Sequence, residues 1–174
     1  MSKKVVLIIA SQGFQQVEYS GTKEELEKAG VEVLTASDSG GEAVGKDGTT
    51  VVMADLEIRD LDVAEYDGLY LIGGPGAMEF LDKEEVYLLL SKWKSSGKPY
   101  GSICISTRIL AKAGVLQGIQ ATGWNGDGEL PAILVENGAE YAETDVITDG
   151  NITTASGPPV ARDFGREIVK VLME

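Results

Sequence analysis

The sequence predicts an α/β sandwich, a mainly parallel sheet with helices on both faces and small β-hairpins. Three observations carry this. Strand-like apolar runs alternate along the chain with stretches of helical period. The opening run is apolar throughout instead of alternating with polar residues, which marks a strand buried on both faces of a parallel sheet. Glycine and proline close the segments where a helix must stop.

Taken in order, Val5-Val6-Leu7-Ile8-Ile9-Ala10 is the first and central strand. A loop over 11–15 leads into a helix over about 16–29, which Gly30 stops, and 31–36 is the second strand, completing a right-handed βαβ unit. Residues 42–53 carry an Asp47-Gly48 turn between two short extended runs, a hairpin beside the main sheet. After a polar stretch over 55–67, residues 68–72 form another buried strand that ends in Gly73-Gly74-Pro75-Gly76. Helical period resumes over 83–95 with Val86, Leu89, Leu90 and Trp93 inward, and Gly97 and Pro99 end it. A short strand then runs into Cys104, and a helix follows with Ile105, Ile109, Leu110 and Ala113 at helical spacing. A short helix over 130–136, a hairpin over 145–154 turning at Asp149–Asn151, and a last helix after Gly157-Pro158-Pro159 complete the chain.

Composition narrows the chemistry. At 174 residues the chain is read as one domain, residues 1–174, with a full core. No apolar run approaches membrane-spanning length and no secretory leader is present, so the expectation is a cytoplasmic protein with no membrane partner. Fifteen Lys and Arg against 28 Asp and Glu give a net charge of −13 with no basic cluster, which argues against nucleic acid as a partner. A single cysteine excludes an internal disulfide. There is no histidine, which removes the usual general base of Ser-His and Cys-His catalysis and, with one cysteine, leaves too few nitrogen and sulfur ligands for a zinc site. No metal and no cofactor is expected: Gly74-Pro75-Gly76-Ala77-Met78-Glu79 departs from the dinucleotide fingerprint at Glu79, and no Walker A sequence occurs.

The reactive candidates lie where strands end. In open α/β sheets the loops at the carboxyl ends of the strands converge, here those after Ala10, Ile72 and Ile103. Cys104 sits on a strand-to-helix turn whose unpaired backbone N–H groups and helix dipole favour negative charge, so an early-ionising thiol is expected. A lone cysteine is equally a small buried hydrophobe, and only the turn distinguishes the two readings. Glu18, in the first turn of its helix, shares a face with Thr22, Leu26 and Ala29 and so points inward, although a first-turn Glu also simply complements the dipole. Burial beside the sulfur is expected to raise its pKa. The Gly73–Gly76 stretch either presents amides to an oxyanion or is a tight turn.

Gly13-Phe14-Gln15-Gln16-Val17-Glu18, Leu71-Ile72-Gly73-Gly74, Ser102-Ile103-Cys104 and Asp149-Gly150-Asn151-Ile152-Thr153-Thr154, in that order, resemble the ThiJ/PfpI superfamily over nearly the whole chain. The resemblance implies a flavodoxin-like sandwich with Cys104 as nucleophile or oxidation site on an elbow and Glu18 hydrogen-bonded to its sulfur. It implies an activity among those of the family: intracellular cysteine protease, cofactor-free glyoxalase or deglycase, isocyanide hydratase, or oxidative-stress response. It also implies a homo-oligomer. The departures are specific. The elbow reads Cys104-Ile105-Ser106 where protease-type members resemble Cys-His-Gly, Trp124 stands where other members place a histidine, and Ser156 where an arginine is common.

A protease triad is therefore incomplete, and a Cys104–Glu18 pair acting on a small electrophile such as a reactive aldehyde is the preferred reading. The backbone amides of Gly74 and Ile105 would hold the oxyanion. The rivals are a non-enzymatic redox sensor working through Cys104 oxidation, and a binding module on a peptidase-type fold that has lost its catalytic histidine.

Overall fold

A computed structural model describes residues 1–174. Six parallel strands and one antiparallel edge strand build the main sheet, in the order β11-β12-β8-β7-β1-β3-β6. The strands are β1 (Lys4–Ile9), β3 (Glu32–Ser37), β6 (Leu56–Glu57), β7 (Gly68–Leu71), β8 (Tyr100–Ile103), β11 (Val146–Asp149) and β12 (Ile152–Ala155). As its uninterrupted apolar run predicts, β1 is central, paired in parallel with β3 on one side and β7 on the other.

Side-chain alternation along β1 divides two cores. Val5, Leu7 and Ile9 pack with Tyr19 and Leu26 of α1 (Gln16–Lys28) and with Phe164, Ile168 and Leu172 of α6 (Ala161–Met173). Val6 and Ile8 face the opposite layer, formed by α3 (Glu84–Ser96), α4 (Thr107–Lys112) and α5 (Leu130–Glu136). The inward residues of α3 are those the helical spacing gives, Val86, Leu89, Leu90 and Trp93, and Trp93 Nε1 also donates to the Pro99 carbonyl at 2.9 Å. Each fully buried Leu or Ile contributes roughly 1.5–3 kcal/mol, so the layers are held mainly by these two apolar seams. The result is a flavodoxin-like three-layer sandwich.

The 42–53 hairpin forms as β4 (Gly41–Gly45) and β5 (Val51–Ala54), and it gains a third strand, β2 (Gln12–Phe14), that the sequence reading took as loop. Asp47 fixes its turn by accepting from Thr49 N, Thr50 N and Thr50 Oγ1. The second hairpin is not an appendage. β12 pairs in parallel with β8 and carries β11 as the sheet's edge. The polar stretch 55–67 contributes the two-residue strand β6 and two short 3₁₀ turns. A helix unforeseen in the sequence, α2 (Pro75–Phe80), starts directly after the Gly73-Gly74 pair, with proline in its first turn. β9 (Gln120–Ala121) and β10 (Glu140–Tyr141) form a separate two-stranded ribbon. No helix is long and apolar enough to cross a membrane.

Candidate active site

The loops after β1, β7 and β8 converge at the carboxyl edge of the sheet. Cys104 opens a 3₁₀ turn between β8 and α4 with φ of 64°, and it is the one non-glycine residue with positive φ. Such backbone costs about 1–3 kcal/mol and persists only where its surroundings impose it. Here the Cys104 carbonyl accepts from Trp124 N at 3.0 Å and Ser106 Oγ donates to the Ile72 carbonyl at 2.7 Å. Thr107 Oγ1 donates to the Thr122 carbonyl at 2.9 Å while lying 2.8 Å from Ser102 Oγ.

Glu18 comes from the first turn of α1 and is wholly buried. Gln15 caps that helix, its Oε1 accepting from Val17 N at 2.7 Å and Glu18 N at 3.4 Å. The helix start is then stitched to the loop after β7: Gln15 N donates to the Gly73 carbonyl at 2.9 Å, and Gly73 N donates to Glu18 Oε1 at 2.9 Å. The bare Cα of Gly73 is what allows acid and thiol to face each other, since a methyl there would lie 2.7 Å from Cys104 Cβ and 2.7 Å from Glu18 Oε1. Gly74 takes φ of 109°, and its own N–H is directed at the sulfur.

Glu18 Oε2 is buried and accepts no hydrogen bond of ordinary geometry. The thiol is nonetheless close enough to perturb the acid. Burial raises the Glu18 carboxyl from 4.5 to about 7, against the lowering pulls of the thiol, the Gly73 N–H and the Lys46 charge. This is the direction expected for a buried carboxyl.

The cysteine moves opposite to expectation. Burial first, then the charge and hydrogen bonding of Glu18, push its thiol up to about 12, while the Ile105 and Gly74 amides pull down. The elbow amides and dipole are present as the sequence indicated, but a low-dielectric surrounding with an adjacent acid outweighs them. The two acids release their first proton near neutrality and hold the second far above it. Burial and the adjacent acid thus raise the thiol, the opposite direction to the early ionisation that the turn alone suggests.

A cavity of about 340 Å³ opens over the sulfur, lined by Gln15, Lys46, Gly74, Pro75, Cys104, Ile105, Trp124 and Pro158. A second cavity, of about 540 Å³, shares Trp124 and includes Ser156, so of the two positions that depart from the ThiJ/PfpI pattern after the elbow Trp124 lines the space over the cysteine and Ser156 only the neighbouring one. Trp124 is held by Arg108. That buried guanidinium grips Asp127 at 2.7 and 3.0 Å, donates to the Trp124 carbonyl at 3.4 Å and lies 5.3 Å from the indole centroid. Sequence reasoning brought Cys104, Glu18, Gly74 and Ile105 forward, and the structure gathers all four at this point. It missed Gln15 and Lys46. The helix start and the Asp47-Gly48 turn gave local signals for both, but nothing in the sequence tells that this turn folds over Cys104. No three Cys, Asp or Glu side chains converge in a way that could hold a metal ion.

Fold and site together define a flavodoxin-like protein with a cysteine on a strained elbow beside a buried carboxyl. A family model described as the DJ-1/PfpI family matches residues 3–171, and the chain belongs to that family. Among its relatives, a deglycase of Pyrococcus abyssi is 34% identical over 167 residues, covering 96% of this chain and 98% of that one. Protein/nucleic acid deglycase 2 of Escherichia coli is 32% identical over 177 residues, covering 99% of each. The crystal structure of a ThiJ/PfpI domain protein from Brachyspira murdochii superposes with a TM-score of 0.92 at 28% identity, over 99% of this chain and 97% of that one.

Proposed function

We propose that the protein is a cofactor-free enzyme of the glyoxalase and deglycase type, with Cys104 as nucleophile, Glu18 as proton carrier and the Gly74 and Ile105 amides as oxyanion donors. The observation that carries the reading is the placement of Cys104 in the wall of an accessible cavity, with the enclosed Glu18 carboxyl, raised by burial to about 7, across Gly73 from it. A general base works best when its pKa lies near the working pH. The deglycase names of relatives above 30% identity support the same class.

With a protonated thiol at rest, nucleophile and base act together. The Cys104 sulfur bonds to the aldehyde carbon, the C=O π pair moves to oxygen against the Gly74 and Ile105 N–H groups, and the thiol proton passes to ionised Glu18. Glu18 returns it to the oxygen, giving a hemithioacetal. On a 2-oxoaldehyde Glu18 then removes the C–H proton of that carbon and redelivers it to the neighbouring carbon, while the hydroxyl proton passes to the neighbouring oxygen, which leaves the thioester of a 2-hydroxy acid. Water releases a 2-hydroxy acid and the free thiol. One carbon is oxidised, its neighbour is reduced, and no external oxidant enters.

Peptide cleavage fits the site less well, because no imidazole is present to protonate a leaving amine. Methylglyoxal consumption with 2-hydroxy acid formation, measured for wild type and Cys104→Ala, tests the proposal. Turnover in wild type and its loss in the variant support it. Equal rates in both, or Cys104-dependent cleavage of a fluorogenic peptide without methylglyoxal turnover, would overturn it.

A further inference from the structure

The cavity over Cys104 is lined on its polar side by donors. The Ile105 and Gly74 amides point at the sulfur. Gln15, which lines the cavity, commits its Oε1 to the start of α1 and leaves its Nε2 free to donate. Lys46 adds an ammonium. Its backbone is pinned above the site by donation of Lys46 N to the Phe14 carbonyl at 2.8 Å. It forms no salt bridge, and the carboxylate of its neighbour Asp47 accepts instead from Thr49 and Thr50 within the turn.

No carboxylate lines this cavity, and the one acid near it, Glu18, is enclosed behind Gly73. On a chain of net charge −13 the general field repels anions. A local cation grouped with three N–H donors around a nucleophile therefore matches a ligand that carries both an electrophilic carbon and a negative charge.

We infer that the site selects carbonyl compounds bearing a carboxylate next to the reacting carbon, and that Lys46 is the residue that sets this specificity. The inference rests on the proposed addition of Cys104 to carbonyls. With glyoxylate, the simplest such compound, the sulfur bonds to the aldehyde carbon and the C=O π pair moves to an oxygen held by the Gly74 and Ile105 amides. The thiol proton passes through Glu18 to that oxygen. The carboxylate rests against Lys46 Nζ and Gln15 Nε2. The product is a hemithioacetal, and no oxidation or reduction occurs.

Glyoxylate and glyoxal test this as two aldehydes of nearly equal size that differ in charge. Each is titrated for protection of Cys104 against iodoacetamide, read by mass spectrometry, which requires addition but no turnover. Because the two aldehydes differ in intrinsic reactivity, the measured quantity is the ratio of their half-protecting concentrations, compared among wild type, Lys46→Met and Lys46→Arg. The preference for glyoxylate should fall about tenfold in Lys46→Met and return to within about threefold of wild type in Lys46→Arg, as an exposed charge pair inside a partly dry cavity predicts. An unchanged ratio in Lys46→Met overturns the inference. So does an equal loss of protection by both aldehydes, which would mean that Lys46 acts only through the charge state of Glu18. Protection by neither aldehyde overturns both the inference and the proposed function, whereas charge-selective protection without methylglyoxal turnover supports the inference and removes only the proposed reaction.

Discussion

Replacing Glu18 by Gln separates what burial does to the acid from what the acid does for the site. The substitution keeps the shape and an Oε1 acceptor for the Gly73 N–H, and removes the titration. In the folded protein the carboxyl holds its proton up to about pH 7, against an ordinary value of 4.5. The folded state thus binds the proton more tightly than the unfolded chain, so the stability it gains from this group is complete below pH 4.5 and is lost as pH rises to about 7. The interval between those values corresponds to about 3 kcal/mol once both states are ionised. Urea unfolding of the two proteins should therefore show Glu18→Gln near wild type at pH 4.5, about 2 kcal/mol more stable than wild type by pH 6 and about 3 kcal/mol by pH 8. Turnover should fall by about 10²–10⁴ in the same variant, the usual contribution of a general base. A stability difference that stays constant from pH 4.5 to pH 8 would refute the argument that burial, and not a fixed contact, governs this residue.

Iodoacetamide alkylation of Cys104 should show a midpoint well above the free-thiol value of about 8.5, moving downward in Glu18→Gln where the adjacent charge is gone. A midpoint below 8.5 in wild type would contradict the burial account. Gly73→Ala places a methyl against both Cys104 Cβ and Glu18 Oε1, and should cost about 1–3 kcal/mol in denaturant unfolding and about 10²-fold in turnover. Wild-type turnover in that variant would show that the pair does not depend on the close approach. Light scattering at micromolar concentration is expected to return a dimer or larger assembly, in keeping with the resemblance that first suggested one and with the exposed Val51 and Met53 on edge strand β5. A monomer mass would refute it.

Much of the fold is legible because its signals are local. The apolar run of β1, the inward positions of α3 and the bounds of α5 follow from periodicity and stop signals within a few residues. α2 escaped because Pro75-Gly76 reads as turn chemistry, and six residues hold too little period to oppose that reading. The place of β12 in the main sheet depends on its register with β8, fifty residues away in sequence, which hairpin signals do not encode. The site divides in the same way. Cys104 and Glu18 are visible from their positions at a strand end and a helix start. Lys46 and Gln15 reach the cysteine only because the β4–β5 turn bonds to Phe14 and the capped helix bonds to Gly73. The direction of the thiol's shift divides likewise: the amides that lower it are local features, whereas the burial and the carboxyl that raise it are tertiary ones.

A chain without histidine has no side chain whose ordinary pKa lies near neutrality. Burying a carboxyl supplies one. The shift of Glu18 to about 7 makes it ionised in about half of the molecules at neutral pH, so it can accept a proton from the thiol and return it, as an imidazole would. The arrangement differs from a Cys-His pair in charge. Imidazole becomes a cation when it takes the thiol proton and then stabilises the thiolate, but a carboxyl becomes neutral and offers no such attraction. In the proposed reaction the sulfur would then transfer its proton as it bonds to carbon, and other groups would meet the negative charge that develops. The Gly74 and Ile105 amides lie at the sulfur, and Lys46 lines the cavity over it. On this account Lys46 and Glu18 form one device. Lys46→Met should raise the Glu18 pKa, since the ammonium is among the groups that lower it, and move the acidic limb of the turnover profile to higher pH. A limb that stays in place while the glyoxylate preference collapses would show that Lys46 serves the substrate alone.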